Sequence, residues 1–242
     1  FIPGYTCASI DYIQDINPYQ RISDSLSNLG YVVFRVEKLG MGDNINTGEC
    51  LDNGFDVELE SYRAGFEKMI EYPFVDKDEI YIFGHSIGGL VAPILANDFK
   101  DKIAGISFYG ATMYPWWDYL SNMLRFQLPR FGYSYEEAEA IFKTIQPVMY
   151  EWLEEGRSLE ELATTDEIRN ILKTHLNWNQ PKERIIFKSE KYWEELAQYS
   201  LAKYWSQLNG IKVLSMFGGA DIQALTPESS MEIAELINGL NE

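Results

Sequence analysis

Histidine and cysteine are scarce in this chain. Its 242 residues include two of each: His85 and His175, Cys7 and Cys50. There is no CxxC pair and no Cys/His cluster, so no metal site is expected. No apolar run reaches the ~18 residues of a membrane span. No signal-peptide pattern is visible either. Positive charge is outweighed, with a net charge of −17. Such a surface repels nucleic acid and anionic membranes, and neither is expected as a partner. There is no P-loop and no GxGxxG in the setting a dinucleotide needs, so no organic cofactor is expected. What the chain does have is apolar bulk: 46% hydrophobic residues, with 16 Tyr, 13 Phe and 6 Trp. That composition argues for a filled core and against disorder. The length suits one large α/β domain carrying an insertion, or two small domains.

Short apolar runs alternate with helical patterns. Residues 1–3 read as the tail of a buried strand, and Gly4 opens a loop. Residues 18–29 have a helical face of Ile22, Leu26 and Leu29, stopped by Gly30. Tyr31 to Val36 is a β-branched and aromatic run, expected to be a buried strand. The stretch 38–56, with four Gly among Asn and Asp, is a loop. A helix over about 57–71 follows, with Asp56 as its cap. Ile80–Phe83, Ile103–Tyr109 and Ile211–Phe217 are further strands. Thr226 and Pro227 open a last helix to about Ile237. This alternation predicts an α/β fold with a doubly wound, mostly parallel sheet.

Between Tyr114 and Trp205 the alternation stops. Helical patterns run over 134–154, 158–175 and 190–206, with Ser158 and Glu161 spaced as a capping box. A stretch this long inside a compact domain must have structure of its own. The expected organisation is therefore a core over 1–111, a helical lid insertion over 112–206, and the rest of the core over 207–242.

Gly84-His85-Ser86-Ile87-Gly88 matches the G-x-S-x-G nucleophile elbow in the context that motif requires, a strand before and a helix after. Ser86 is the candidate nucleophile. The N–H of Ile87, at the helix start, is one candidate oxyanion donor. The second is the N–H of Tyr5, where Gly4 allows close backbone approach. Asp221, after the strand 211–217, stands where the acid of such a site belongs, or is an ordinary turn aspartate. His85 is expected to point away from the Ser86 hydroxyl, packed near the pocket. His175 ends a helical segment and precedes Asp221, the wrong order for a triad base. A histidine beyond residue 242, and strands before residue 1, are the expectation. Trp116 and Trp117 open the insertion and are candidates for the pocket lining. Cys7 and Cys50 lie in neighbouring loops. They form a disulfide, which would favour an extracytoplasmic place, or remain two thiols in the cytoplasm.

These segments together resemble the lidded bacterial α/β hydrolases labelled S9-type peptidases or esterases. The resemblance is carried by Ile2-Pro3-Gly4-Tyr5-Thr6-Cys7, by Glu37-Lys38-Leu39-Gly40-Met41-Gly42-Asp43, by the elbow 84–89 and by Phe217-Gly218-Gly219-Ala220-Asp221. It implies an α/β-hydrolase fold and a serine hydrolase acting on a small-molecule ester or peptide-like substrate. The reaction is cleavage of an ester, thioester or amide bond through an acyl-enzyme, with a carboxylic ester favoured. The alternatives are an S9-like peptidase and a non-catalytic binding protein lacking the base. Oligomeric state is not addressed by any feature of the sequence.

Overall fold

The computed structural model describes residues 1–10, 18–223 and 227–241. Three strands form a parallel sheet in the order β1 (Ile80–His85), β2 (Ile103–Tyr109), β5 (Lys212–Met216). Ile2 adds a parallel bridge to Gly84 on the outer side of β1. Helix α3 (Ile87–Asp98) joins β1 to β2, and ten of its residues are buried, from Ile87 to Ala96. Apolar side chains all round a helix mark one buried in a core. Burial alternates along β1: Ile80, Ile82 and Gly84 are buried while Tyr81 is exposed. That is the period of two expected of a pleated strand. Helix α1 (Pro18–Asn28) is the first helix of the described residues, α2 (Phe55–Met69) precedes β1, and α10 (Glu228–Asn241) packs on β5. Thr226, expected to cap that last helix, lies outside the described residues.

The segment Tyr31 to Val36 departs from expectation. It joins no ladder among the described residues, and Tyr31 and Val32 are 56% and 65% exposed. Its Phe34 carbonyl accepts from the Phe1 amine at 2.9 Å. Strand propensity is realised only where a neighbour offers a row of partners. Among the described residues no such row of ladder partners lies beside this segment.

Between β2 and β5 the chain is helical apart from a two-residue hairpin of β3 (Arg184–Ile185) and β4 (Lys188–Ser189). The helices are α4 (Trp116–Gln127), α5 (Tyr135–Leu153), α6 (Leu159–Leu162), α7 (Asp166–Leu176), α8 (Glu190–Ala197) and α9 (Leu201–Ser206). A full capping box opens α5, with Ser134 and Glu137 each holding the other's backbone N–H. At Ser158 the structure shows the hydroxyl accepting from the Glu161 N–H. The pattern 158–175 is two helices, because Thr165 accepts from the Ile168 N–H and starts α7 afresh. Three buried indoles of this region find acceptors: Trp152 Nε1 donates to Glu194, Trp178 Nε1 to Glu190, and Trp193 Nε1 to the Ile185 carbonyl.

Several ties join the helical segment to the loop 38–56 and to helix α2. Glu58 of α2 accepts from Lys38 Nζ at 2.8 Å, from Lys188 Nζ at 3.2 Å and from the Tyr192 hydroxyl at 3.2 Å. All three charged groups are buried. Burial alone would raise the Glu58 carboxyl, but Lys38 and Lys188 overcome it and hold it below its ordinary value. Beside this cluster Cys7 and Cys50 form a disulfide with Cα atoms 5.8 Å apart, and Lys188 Nζ also reaches the Cys50 carbonyl at 3.0 Å. The bond spans 43 residues. Replacing both cysteines by serine is expected to cost about 2–4 kcal/mol in urea unfolding, chiefly by freeing the unfolded chain. A loss below about 1 kcal/mol would mean that the crosslink restrains little.

Candidate active site

Parallel strands place their carboxyl ends on one edge, and in open α/β sheets sites gather there. Four segments arrive at this edge: Pro3 to Tyr5 after the Ile2 bridge, Ser86 after β1, the residues from Gly110 after β2, and the loop 217–223 after β5. Ser86 has φ 53° and ψ −120°, a conformation rare for a residue with a side chain. Its neighbours are packed to match. A Cβ on Gly84 would lie 2.3 Å from the Gly88 carbonyl oxygen, and one on Gly88 would lie 2.1 Å from that of Ile2. Only glycine fits either place. The turn is held by bonds from the Ser86 N–H to the Tyr109 carbonyl, 2.9 Å, and from the His85 N–H to the Ile2 carbonyl, 3.0 Å.

Ile87 starts α3, and the first N–H groups of a helix have no acceptor within the helix. Gly4 crosses directly beside Ser86: a Cβ there would lie 3.3 Å from the Ser86 Cβ and 3.5 Å from His85 Nδ1. Tyr5 follows, half-buried, with its ring edge-on to Trp193 at 5.7 Å. The candidate donors at Tyr5 and Ile87 therefore follow directly on Gly4, which packs against Ser86, and on Ser86 itself.

Asp221 sits in a turn. Its N–H donates to the Gly218 carbonyl at 2.9 Å, and its carboxylate accepts from the Gln223 N–H at 2.8 Å. β2 stands between β1 and β5, so the ends carrying Ser86 and Asp221 are about two strand spacings, roughly 10 Å, apart. Asp221 nevertheless belongs to the same electrostatic neighbourhood. Burial raises the Tyr119 phenol and the Asp221 charge raises it further. Burial lowers His85, and Asp221 opposes that shift.

His85 packs between Tyr19, 5.5 Å, and Tyr109, 5.7 Å, and its Nδ1 is hydrogen-bonded to the Tyr19 hydroxyl at 2.7 Å. His175 lies edge-on to Tyr133 at 5.5 Å in the helical segment, lowered by partial burial. Trp116 is buried, stacked between Trp193 at 5.3 Å and Tyr119 at 4.7 Å. Trp117 is half-buried and edge-on to Tyr150. A chain of rings thus runs from Tyr5 through Trp193 and Trp116 to Tyr119, whose hydroxyl donates to the Gln223 carbonyl of the Asp221 loop. Tyr19 and Tyr119 carry no motif that would single them out in the sequence. Among the described residues no three His, Cys, Asp or Glu side chains gather as a metal would require. Nor is any helix among them long and apolar enough to cross a membrane.

No family model matches the chain, and no curated protein is significantly similar to it. Among solved structures, one described as "Lipase (Open form)" is 16% identical over 99% of this chain and 77% of its own length, with a TM-score of 0.56. A structure of carboxylesterases from the ammonia-oxidizing Thaumarchaeon Nitrososphaera gargenis is 15% identical over 81% of this chain and 64% of that one, with a TM-score of 0.38. The first likeness shows the fold, which is that of the α/β hydrolases.

Proposed function

We propose that the protein is a serine hydrolase of the ester-hydrolase kind, with Ser86 as its nucleophile. One observation carries this reading: a serine held at φ 53° between β1 and α3, with the Gly4 backbone packed against it. Strain of that sort persists only where surrounding structure enforces it, and it gathers at functional sites. In the proposed reaction Ser86 Oγ attacks the substrate carbonyl and its proton passes to a base. The oxyanion is held by the N–H groups of Tyr5 and Ile87, and collapse expels the alcohol and leaves an acyl-enzyme for water to cleave. Asp221 orients the base, and the roughly 10 Å between the two strand ends leaves room for an imidazole. His85 Nδ1 is hydrogen-bonded to Tyr19 and His175 packs on Tyr133, and neither is assigned as the base in this reading. The similarity to a lipase structure supports the ester over the peptide bond. The helices from Trp116 to Ser206 serve in this reading as the lid, and the Cys7–Cys50 bond supports an extracytoplasmic place.

One observation favours a second reading, binding without catalysis: the described contacts bring neither histidine to Ser86 as a base. A panel of p-nitrophenyl esters and aminoacyl-nitroanilides separates the two. Ester turnover well above nitroanilide turnover is expected. Turnover of neither would favour binding alone, and preference for nitroanilides would make the protein a peptidase.

A further inference from the structure

We propose that the Tyr19 hydroxyl is a positioning group, one that fixes the Pro3–Gly4 peptide beside Ser86 and so holds the next N–H along the chain, the oxyanion-binding N–H of Tyr5, in register. This rests on the reading of Ser86 as the nucleophile. The case comes from following the ties along the first residues. Ile2 is locked into the sheet by bonds from its N–H to the Phe83 carbonyl, 2.8 Å, and to its carbonyl from the His85 N–H, 3.0 Å. Pro3 has no N–H to give. The next donor along the chain is Gly4 N–H, and it donates to the Tyr19 hydroxyl at 3.3 Å. The next covalent anchor is Cys7, bonded to Cys50. The Tyr5 N–H lies between these two points.

Tyr19 is itself held from two sides. Its hydroxyl is hydrogen-bonded to His85 Nδ1 at 2.7 Å, and its ring lies edge-on to Phe1 at 5.2 Å and to His85 at 5.5 Å. A phenol has one proton to donate and lone pairs to accept, so one hydroxyl can serve Gly4 and His85 together. His85 is the residue before Ser86, so the tie closes a loop: strand β1, His85, Tyr19, Gly4, and back to Ser86, whose Cβ a Gly4 side chain would approach to 3.3 Å. Tyr19 thereby couples the oxyanion segment to the strand that carries the nucleophile. It touches no reacting atom. Its contribution is to keep a donor aimed where charge develops, which matters because a misplacement of about 1 Å can cost ~100-fold in rate.

The test is Tyr19→Phe, which keeps the ring and its packing and removes only the hydroxyl. The full chain and the variant are compared in three measurements: the rate of fluorophosphonate labelling at Ser86, kcat and KM on p-nitrophenyl butyrate, and hydrogen exchange at the Gly4 amide. Labelling and kcat are expected to fall roughly tenfold or more. KM should stay within about twofold, since ground-state contacts are untouched. Gly4 exchange should rise, because its acceptor is gone. Unchanged labelling and kcat alongside normal Ser86 reactivity would overturn the positioning role alone. So would a fall in kcat with unchanged Gly4 exchange, because the loss would then come from elsewhere. Wild-type protein that does not label at Ser86 would instead overturn the nucleophile reading, and this proposal with it.

Discussion

Glu58→Gln is expected to destabilise the fold by about 3–5 kcal/mol, a loss larger than that expected from removing the disulfide. The carboxylate is buried and faces two buried ammonium groups, Lys38 at 2.8 Å and Lys188 at 3.2 Å, with the Tyr192 hydroxyl beside them. The cluster already carries one positive charge more than it can neutralise, and burial pushes Lys38 down to about 8 against the pull of Glu58. An amide keeps the shape and removes the negative charge. Two uncompensated cations in a dry site must then shed protons or draw in water, and the cost of breaking a buried pair is of that size. In a domain this long the melting temperature would fall by roughly 10 °C. The control replaces Lys38, Glu58 and Lys188 together with apolar residues of similar volume, which is expected to restore much of the loss. A loss below about 1 kcal/mol for Glu58→Gln would show that water reaches the cluster freely.

Ser86→Ala is expected to lower ester turnover by roughly 10³-fold or more, as removal of an acyl-forming nucleophile does. The fold should be unaffected, because alanine occupies the same φ 53° position that serine does. Ser86→Gly sharpens the point. Glycine tolerates that backbone conformation, so this variant should be inactive yet more stable, by about 1 kcal/mol. Loss of function with gain of stability is what a strained functional residue predicts, and a residue kept for packing does not. Urea unfolding beside the ester assay checks both halves.

The strand–turn–helix geometry at Ser86 was legible because everything that makes it is local. A β-branched run, Gly84, Ser86, Gly88 and an apolar helix lie within twenty residues, and sterics leave few other ways to fold them. The parallel alternation of β1, β2 and β5 was legible for the same reason. What was not legible depends on distant partners. Tyr19 meets His85 across 66 positions, and Glu58 meets Lys188 across 130. No local pattern announces either pairing. The disulfide was open for the same reason, since two thiols in loops carry no distance. Tyr31 to Val36 has strand propensity without the row of partners that makes a strand. Helix α4 was missed because the helical patterns read in the insertion began at residue 134, whereas its residues run from Trp116 to Gln127. Ser158 to His175 read as one helix because the apolar spacing continues across Thr165, whose capping bond restarts the chain.

The most direct test of Ser86 as the nucleophile is covalent labelling of the protein with a fluorophosphonate, followed by peptide mapping. Such probes phosphonylate a serine made nucleophilic by its surroundings and leave ordinary serines alone. Attachment at Ser86, absent in Ser86→Ala and no stronger at any other serine, is the predicted result. No attachment at Ser86 in folded protein, or equal attachment in Ser86→Ala, would contradict it.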